Sequence, residues 1–199
     1  MKRLCLAVVL AVSSGLAAQT HTVETPRSSP KVRAITAFVR LDPDNFQKQI
    51  QDTLAVLEKA KAAFIAQGYE VETVRITTQP LAELVAGMPE DRAMAFLRAF
   101  DDLSAKDNFI PNVGPAMMHD IDDPKAMHVL EQALSTLPNI EGSTIIADED
   151  GIHWKTIHRT AELVKYVSEH SPRSQGTFNF TATAMLKPLG PFFPGSYHT

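Results

Sequence analysis

The chain has 199 residues, 44% of them hydrophobic, and a formal net charge of −4, which suits one domain with a sizeable core. Its single cysteine, Cys5, excludes disulfide frameworks and thiolate zinc sites. No cluster of Lys and Arg offers a track for a phosphate backbone, so nucleic acid is not an expected partner.

Residues 1–18 read as a secretory signal peptide. Met1-Lys2-Arg3 is a basic start, Leu4 to Val12 is unbroken apolar sequence, and Ser13-Ser14-Gly15-Leu16-Ala17-Ala18 is a small-residue exit. The apolar run is far short of the roughly 20 residues that span a bilayer. Cleavage after Ala17 or Ala18 removes Cys5 together with Lys2 and Arg3, leaving a mature chain without cysteine and two units more negative. The expected location is therefore periplasmic or secreted, with no membrane span after cleavage. Residues 19–31, rich in Thr, Ser and Pro, read as a flexible linker.

The α/β domain is expected over 32–199. Val32 to Arg40 is β-branched and apolar on both faces, as in a doubly buried strand. Asp42-Pro43 reads as a helix cap with proline at the first helical position. Phe46, Ile50, Leu54, Leu57, Lys61 and Phe64 recur at helical spacing up to a stop at Gly68. Tyr69 to Thr77 reads as a second strand, and Pro80 to Ala86 with Glu90 to Leu103 as an interrupted helix. Asn108 to Gly114 is a third strand weakened by Pro111. A helix over 124–137, capped by Asp122 or Asp123, precedes a fourth strand at Ser143 to Ala147. Ile152 to Ser168 is a helix with Ile157, Ala161, Val164 and Ser168 stacked, and Thr177 to Met185 a fifth strand. This order of βα units predicts a mostly parallel sheet with its ligand site beyond the strand carboxyl ends.

Candidate chemistry is sought at those ends. Asp148-Glu149-Asp150 follows the fourth strand and either holds a cation or substrate through its carboxylates or caps the next helix. His119-Asp120-Ile121-Asp122-Asp123 with His128 has metal-ligand residue types, and also the look of a solvated acidic turn. His153 and His158 point about 140° apart on a helix and cannot share an ion. Dinucleotide, P-loop and serine-hydrolase motifs are absent. Gly190 to His198 gathers Phe192, Phe193, Tyr197 and His198 into one Pro- and Gly-braced loop, either a pocket wall or a packing element.

The opening strand VRAITAFVR, the segment ADEDGIHWKTIHRTAELVKYVSEHSP and above all FNFTATAMLKPLGPFFPGSYH resemble the N-terminal half of an uncharacterised family, domain of unknown function 711 (UPF0210-like). The resemblance runs from about Val32 to the last residue and is poor over 87–138. It implies repeated βα units forming half of a ten-stranded barrel similar to that of the glycyl radical enzymes, in a longer chain. It implies no reaction and no cofactor. Glycyl radical chemistry needs a cysteine partner, which the mature chain lacks. The family generally lacks an export signal, so residues 1–18 depart from it.

Two functions stay open. In the first the chain is an exported enzyme or small-molecule-binding protein. Its site would comprise Arg40 and Asp42 after strand one, Asn112 after strand three, Asp148 and Asp150 (also the metal ligands) after strand four, and Phe193, Tyr197 and His198 after strand five. His198 and Asp148 are the catalytic candidates. In the second it is a non-catalytic scaffold or interaction module. An end at Thr199, directly after the strongest motif, reads as truncation, with an unpaired sheet edge that favours poor solubility or homo-oligomers.

Overall fold

The structure is a computed structural model describing residues 30–121 and 124–199. The expected signal peptide, the linker up to Ser29 and the cap residues Asp122 and Asp123 lie outside the described residues. At Lys31 the chain is already tied down: its Nζ pairs with Glu70 at 2.9 Å, and Val32 bridges Val71.

The elements alternate as the sequence pattern predicts. Strand β1 (Ile35–Phe38), helix α1 (Phe46–Ala66), strand β2 (Val74–Thr77), helices α2 (Leu81–Leu84) and α3 (Glu90–Asp107), strand β3 (Ile110–Pro115) and helix α4 (Pro124–Thr136) come first. Strand β4 (Glu141–Asp148), the short strand β5 (Gly151–Ile152), helix α5 (Trp154–His170), a 3-10 segment (Pro172–Asn179) and strand β6 (Phe180–Ala184) follow. The sheet runs β1-β2-β3-β4 with β6 beside β4, all parallel, while β5 folds back antiparallel on the end of β4. The fold is thus mixed α/β with a mostly parallel sheet.

Spatial order equals chain order, so right-handed crossovers carry the helices to a single face. One apolar core fills that side, with Ile50, Ile76, Leu97, Phe100, Val113, Leu130 and Leu163 all buried. Beneath it the carboxylate of Asp101 accepts from the backbone N–H groups of Asn139 and Ile140 at 2.8 and 2.9 Å. A buried acceptor satisfied this way fixes the entry into β4 from α3.

Several local expectations change. Asp42 does not cap α1, whose cap position is Asn45. It begins a turn with Pro43 second, its carbonyl accepting from Asn45 N at 2.9 Å and its Oδ1 from Asp44 N at 3.0 Å. Proline's fixed φ suits that turn position as well as it suits a helix start. Strand β1 is half-buried throughout rather than doubly buried, because it is the sheet edge. Helix α5 buries Thr156, Thr160, Leu163 and Val167, one residue round from the expected stripe. Two threonines can face the sheet because Thr160 Oγ1 and Thr144 Oγ1 bond to each other at 2.8 Å. The first residue assigned to that helix, Ile152, instead ends β5, and His153 takes the cap position of α5.

Pro111 sits in a central strand without breaking it. Asn112 turns its carbonyl to β2, accepting from Thr78 N at 2.9 Å, so alternation turns Pro111 toward β4. The β3–β4 ladder starts only at Asn112↔Glu141, and the missing donor has no partner to lose. At the other end of β3, Gly114 has φ +65°, and a Cβ there would lie 2.8 Å from the Gln79 carbonyl oxygen. Gly114→Ala is expected to lower unfolding free energy by about 2 kcal/mol or more through strain and contact with rigid backbone, read from the midpoint of urea unfolding.

Candidate functional site at the strand carboxyl ends

The register sets which side chains share the face away from the helices. Thr77 pairs with Asn112 and Asn112 with Glu141, while Ser143 pairs with Thr181. Period-two alternation adds Arg75 and Thr183. This face is rich in polar groups, with Phe38, Ile110 and Ile145 on it by the same pairings, and the carboxyl-terminal segment lies across it. Asn112 Nδ2 donates to the Ser196 carbonyl at 2.7 Å, His198 N donates to the Thr78 carbonyl at 2.8 Å, and the Arg75 guanidinium stacks 4.3 Å over the Phe193 ring. Arg75 Nε, Thr77 Oγ1, Ser143 Oγ and His198 Nδ1 are buried there with no hydrogen-bonding partner among the described residues.

Burial pushes the Glu141 carboxyl up to about 7, against the pull of Arg75. The same loss of water lowers the Arg75 guanidinium from its ordinary value, with Arg33 adding to the effect.

Beyond the end of β4 the chain turns tightly. Asp148 Oδ1 accepts from Asp150 N at 2.8 Å, and Gly151, at φ +121°, reverses direction into β5. The reversal returns His153 beneath Asp148. Buried, with 3% of its surface exposed, His153 has Nδ1 2.9 Å from the Ile145 carbonyl and Nε2 3.1 Å from Asp148 Oδ1. His119, which follows β3, brings Nδ1 to 3.9 Å from Asp148 Oδ2. The bond from Asp150 N–H, chiefly, with help from His153 and His119, holds the Asp148 carboxyl below its ordinary range. Beside it opens a cleft of about 330 Å³ lined by Asp148, Glu149, Asp150, Met185 to Pro188 and Tyr197. Burial first, and then the charge of Asp148, raises the Tyr197 phenol.

Of the residues singled out from sequence, Asp148, Asp150 and Tyr197 meet at this cleft. Asn112, Phe193 and His198 lie together on the polar face and anchor the returning segment. Arg40 and Asp42 stand apart at the exposed end of β1: Arg40 pairs with Glu83 at 2.8 Å, and Asp42 shapes the turn before α1. His128 lies near Glu90 and Glu131, at 3.6 and 3.8 Å, rather than with His119. Asp120 performs the capping proposed for the 148–150 loop, accepting from Lys155 N at 2.7 Å. Sequence reasoning did not pick out Arg75, Thr77, Glu141, Ser143, His153 and Ser196. The alternation along β2 and β4 was the signal for the first four.

The family model described as Uncharacterised ACR (DUF711) matches residues 26–199. A UPF0210 protein of Pyrobaculum islandicum is 24% identical over 185 residues, covering 84% of this chain and 40% of the relative. The chain therefore spans well under two thirds of that relative's length.

A folded-state Glu141 near 7, above its ordinary 4.5, means that folding takes up a proton between those values. Stability at this group is full below about pH 4.5 and falls as pH rises through 7, by up to about 3 kcal/mol. Glu141→Gln is expected to flatten that fall and to raise the urea midpoint at pH 8, measured by unfolding curves across pH 5–8.

Proposed function

The chain belongs to the DUF711 family, and we propose that it is exported and binds, or acts on, a polar small molecule at the carboxyl ends of its strands. The observation that carries this reading is the cleft where the β4 turn and the returning carboxyl-terminal segment meet over Tyr197. Its charge speaks to the ligand. Lys187 is paired to Glu149 at 2.9 Å, so the remaining carboxylates, Asp148 and Asp150, favour a ligand that is cationic, rich in hydroxyl groups, or held through a cation. Asp148 is the residue to polarise a ligand there. His198, with its buried Nδ1 unpaired, is the proton carrier on the adjoining polar face. Asn112 acts as a positioning residue, since its amide is engaged by Ser196. The in-order parallel strands support reading this sheet as part of a larger βα barrel.

A second reading, an interaction module, is favoured by the exposure of Met185, Leu189 and Phe192 near one another in sequence beyond β6.

Export rests on the residue pattern of 1–18. Among the described residues no helix is long and apolar enough to cross a membrane. Residues 1–30 fused to a phosphatase that is active only outside the cytoplasm should give active reporter, and Lys2→Glu with Arg3→Glu should reduce it several-fold. An inactive fusion rules out export.

Native mass spectrometry of protein purified from its host's exported fraction is expected to show a retained small molecule, lost in Tyr197→Phe. A bound second protein chain with no small molecule supports the interaction module instead.

A further inference from the structure

We propose that His119, Asp148 and Asp150 bind one divalent first-row transition-metal ion at the mouth of the cleft, a step that rests on reading this end of the sheet as the ligand site. One donor atom from each of the three lies within 4.8 Å of the others. They come from separate strand ends, His119 from beyond β3 and the two aspartates from the β4 turn.

The Asp148 carboxylate divides its work. Oδ1 is occupied by Asp150 N and His153 Nε2, which leaves Oδ2 on the side of His119 Nδ1. Their 3.9 Å separation is too long for a hydrogen bond. It is close to the roughly 3.0–3.4 Å between neighbouring donors that each sit about 2.1 Å from one ion. The His119 side chain is 62% exposed and can close the remaining distance by a small swing. His153 is locked between the Ile145 carbonyl and Asp148, and it orients the carboxylate as outer-shell partners of metal ligands do.

Tyr197 supplies an independent indication that something binds here. The residue is 5% exposed, it lines the same cleft as Asp148 and Asp150, and its hydroxyl has no hydrogen-bond partner among the described residues. The hydroxyl is not among the atoms sealed from solvent without a partner, so it opens on the cleft, where it can bond a group that enters. One imidazole nitrogen with two carboxylates suits manganese, iron or zinc better than calcium, which takes six to eight oxygens. Three protein donors leave positions open on the ion for oxygen atoms of a small molecule.

The test uses the full chain, stripped with a chelator and titrated with Mn²⁺ by calorimetry, with Zn²⁺ as competitor. One ion per chain is expected. His119→Ala and Asp150→Asn should each weaken binding at least about ten-fold. His158→Ala, which removes an exposed histidine paired with Glu162, should change nothing. Both ligand positions are at the surface, and unchanged thermal unfolding of the two variants verifies that they fold. No saturable binding at millimolar Mn²⁺, or binding indifferent to His119→Ala and Asp150→Asn, overturns the site. The two readings fail separately. An organic molecule retained by ion-free wild-type protein that takes up no Mn²⁺ overturns the metal site and leaves the small-molecule reading standing. An ion bound with those variant effects but with no organic molecule retained establishes the metal site and removes the other reading.

Discussion

The one-sided placement of the helices governs the rest of this molecule. Parallel strands laid down in chain order, each joined to the next by a crossover of the same hand, send every helix to one side of the sheet. The apolar core collects there, around Ile76 and Val113. The opposite face is left to Arg75, Thr77, Asn112, Glu141 and Ser143, side chains that an apolar core could not accommodate without partners. Their cover is the chain's own end, held by the Asn112 amide on the Ser196 carbonyl and by Phe193 under Arg75.

The same geometry concentrates chemistry at one end of the sheet. Every parallel strand points its carboxyl end the same way, so loops distant in sequence arrive together: His119, Asp148 and Tyr197 are neighbours only because β3, β4 and β6 are. The β4 turn adds a refinement. Because Gly151 adopts a backbone conformation open to few other residues, the chain doubles back, and a histidine that sequence places at a helix start becomes the buried support of Asp148. The returning segment carries Tyr197 to that carboxylate and Phe193 to Arg75, so one element reaches both the cleft and the opposite face of the sheet.

Much of the architecture was legible in residue order. The spacing of Phe46, Ile50 and Leu57, the stop at Gly68 and the alternation of strand and helix signals are local properties, set by 3.6-residue and two-residue periods that need no neighbour to exist. They sufficed for the α/β class and for three residues, Asp148, Asp150 and Tyr197, that the structure brings to one cleft. Errors arose where a neighbour overrides the local pattern. Thr156 and Thr160 face the sheet in place of Ile157 and Ala161 because a hydroxyl on β4 meets Thr160. Pro111 is tolerated because its ring faces the side where β4 has not yet begun.

What the sequence determined by itself is most of the elements, their order, and hence a mostly parallel sheet. Tertiary structure alone decided which side chains meet at the strand ends. It separated Arg40 and Asp42 from the cleft, moved Asp120 to the start of α5, and brought His119 and His153 to opposite oxygens of one carboxylate. The physical reason is that contacts among strand ends depend on register and on the direction of a single turn. A pairing shift of one residue exchanges the two faces of a strand, and no run of residues read along the chain records which pairing wins.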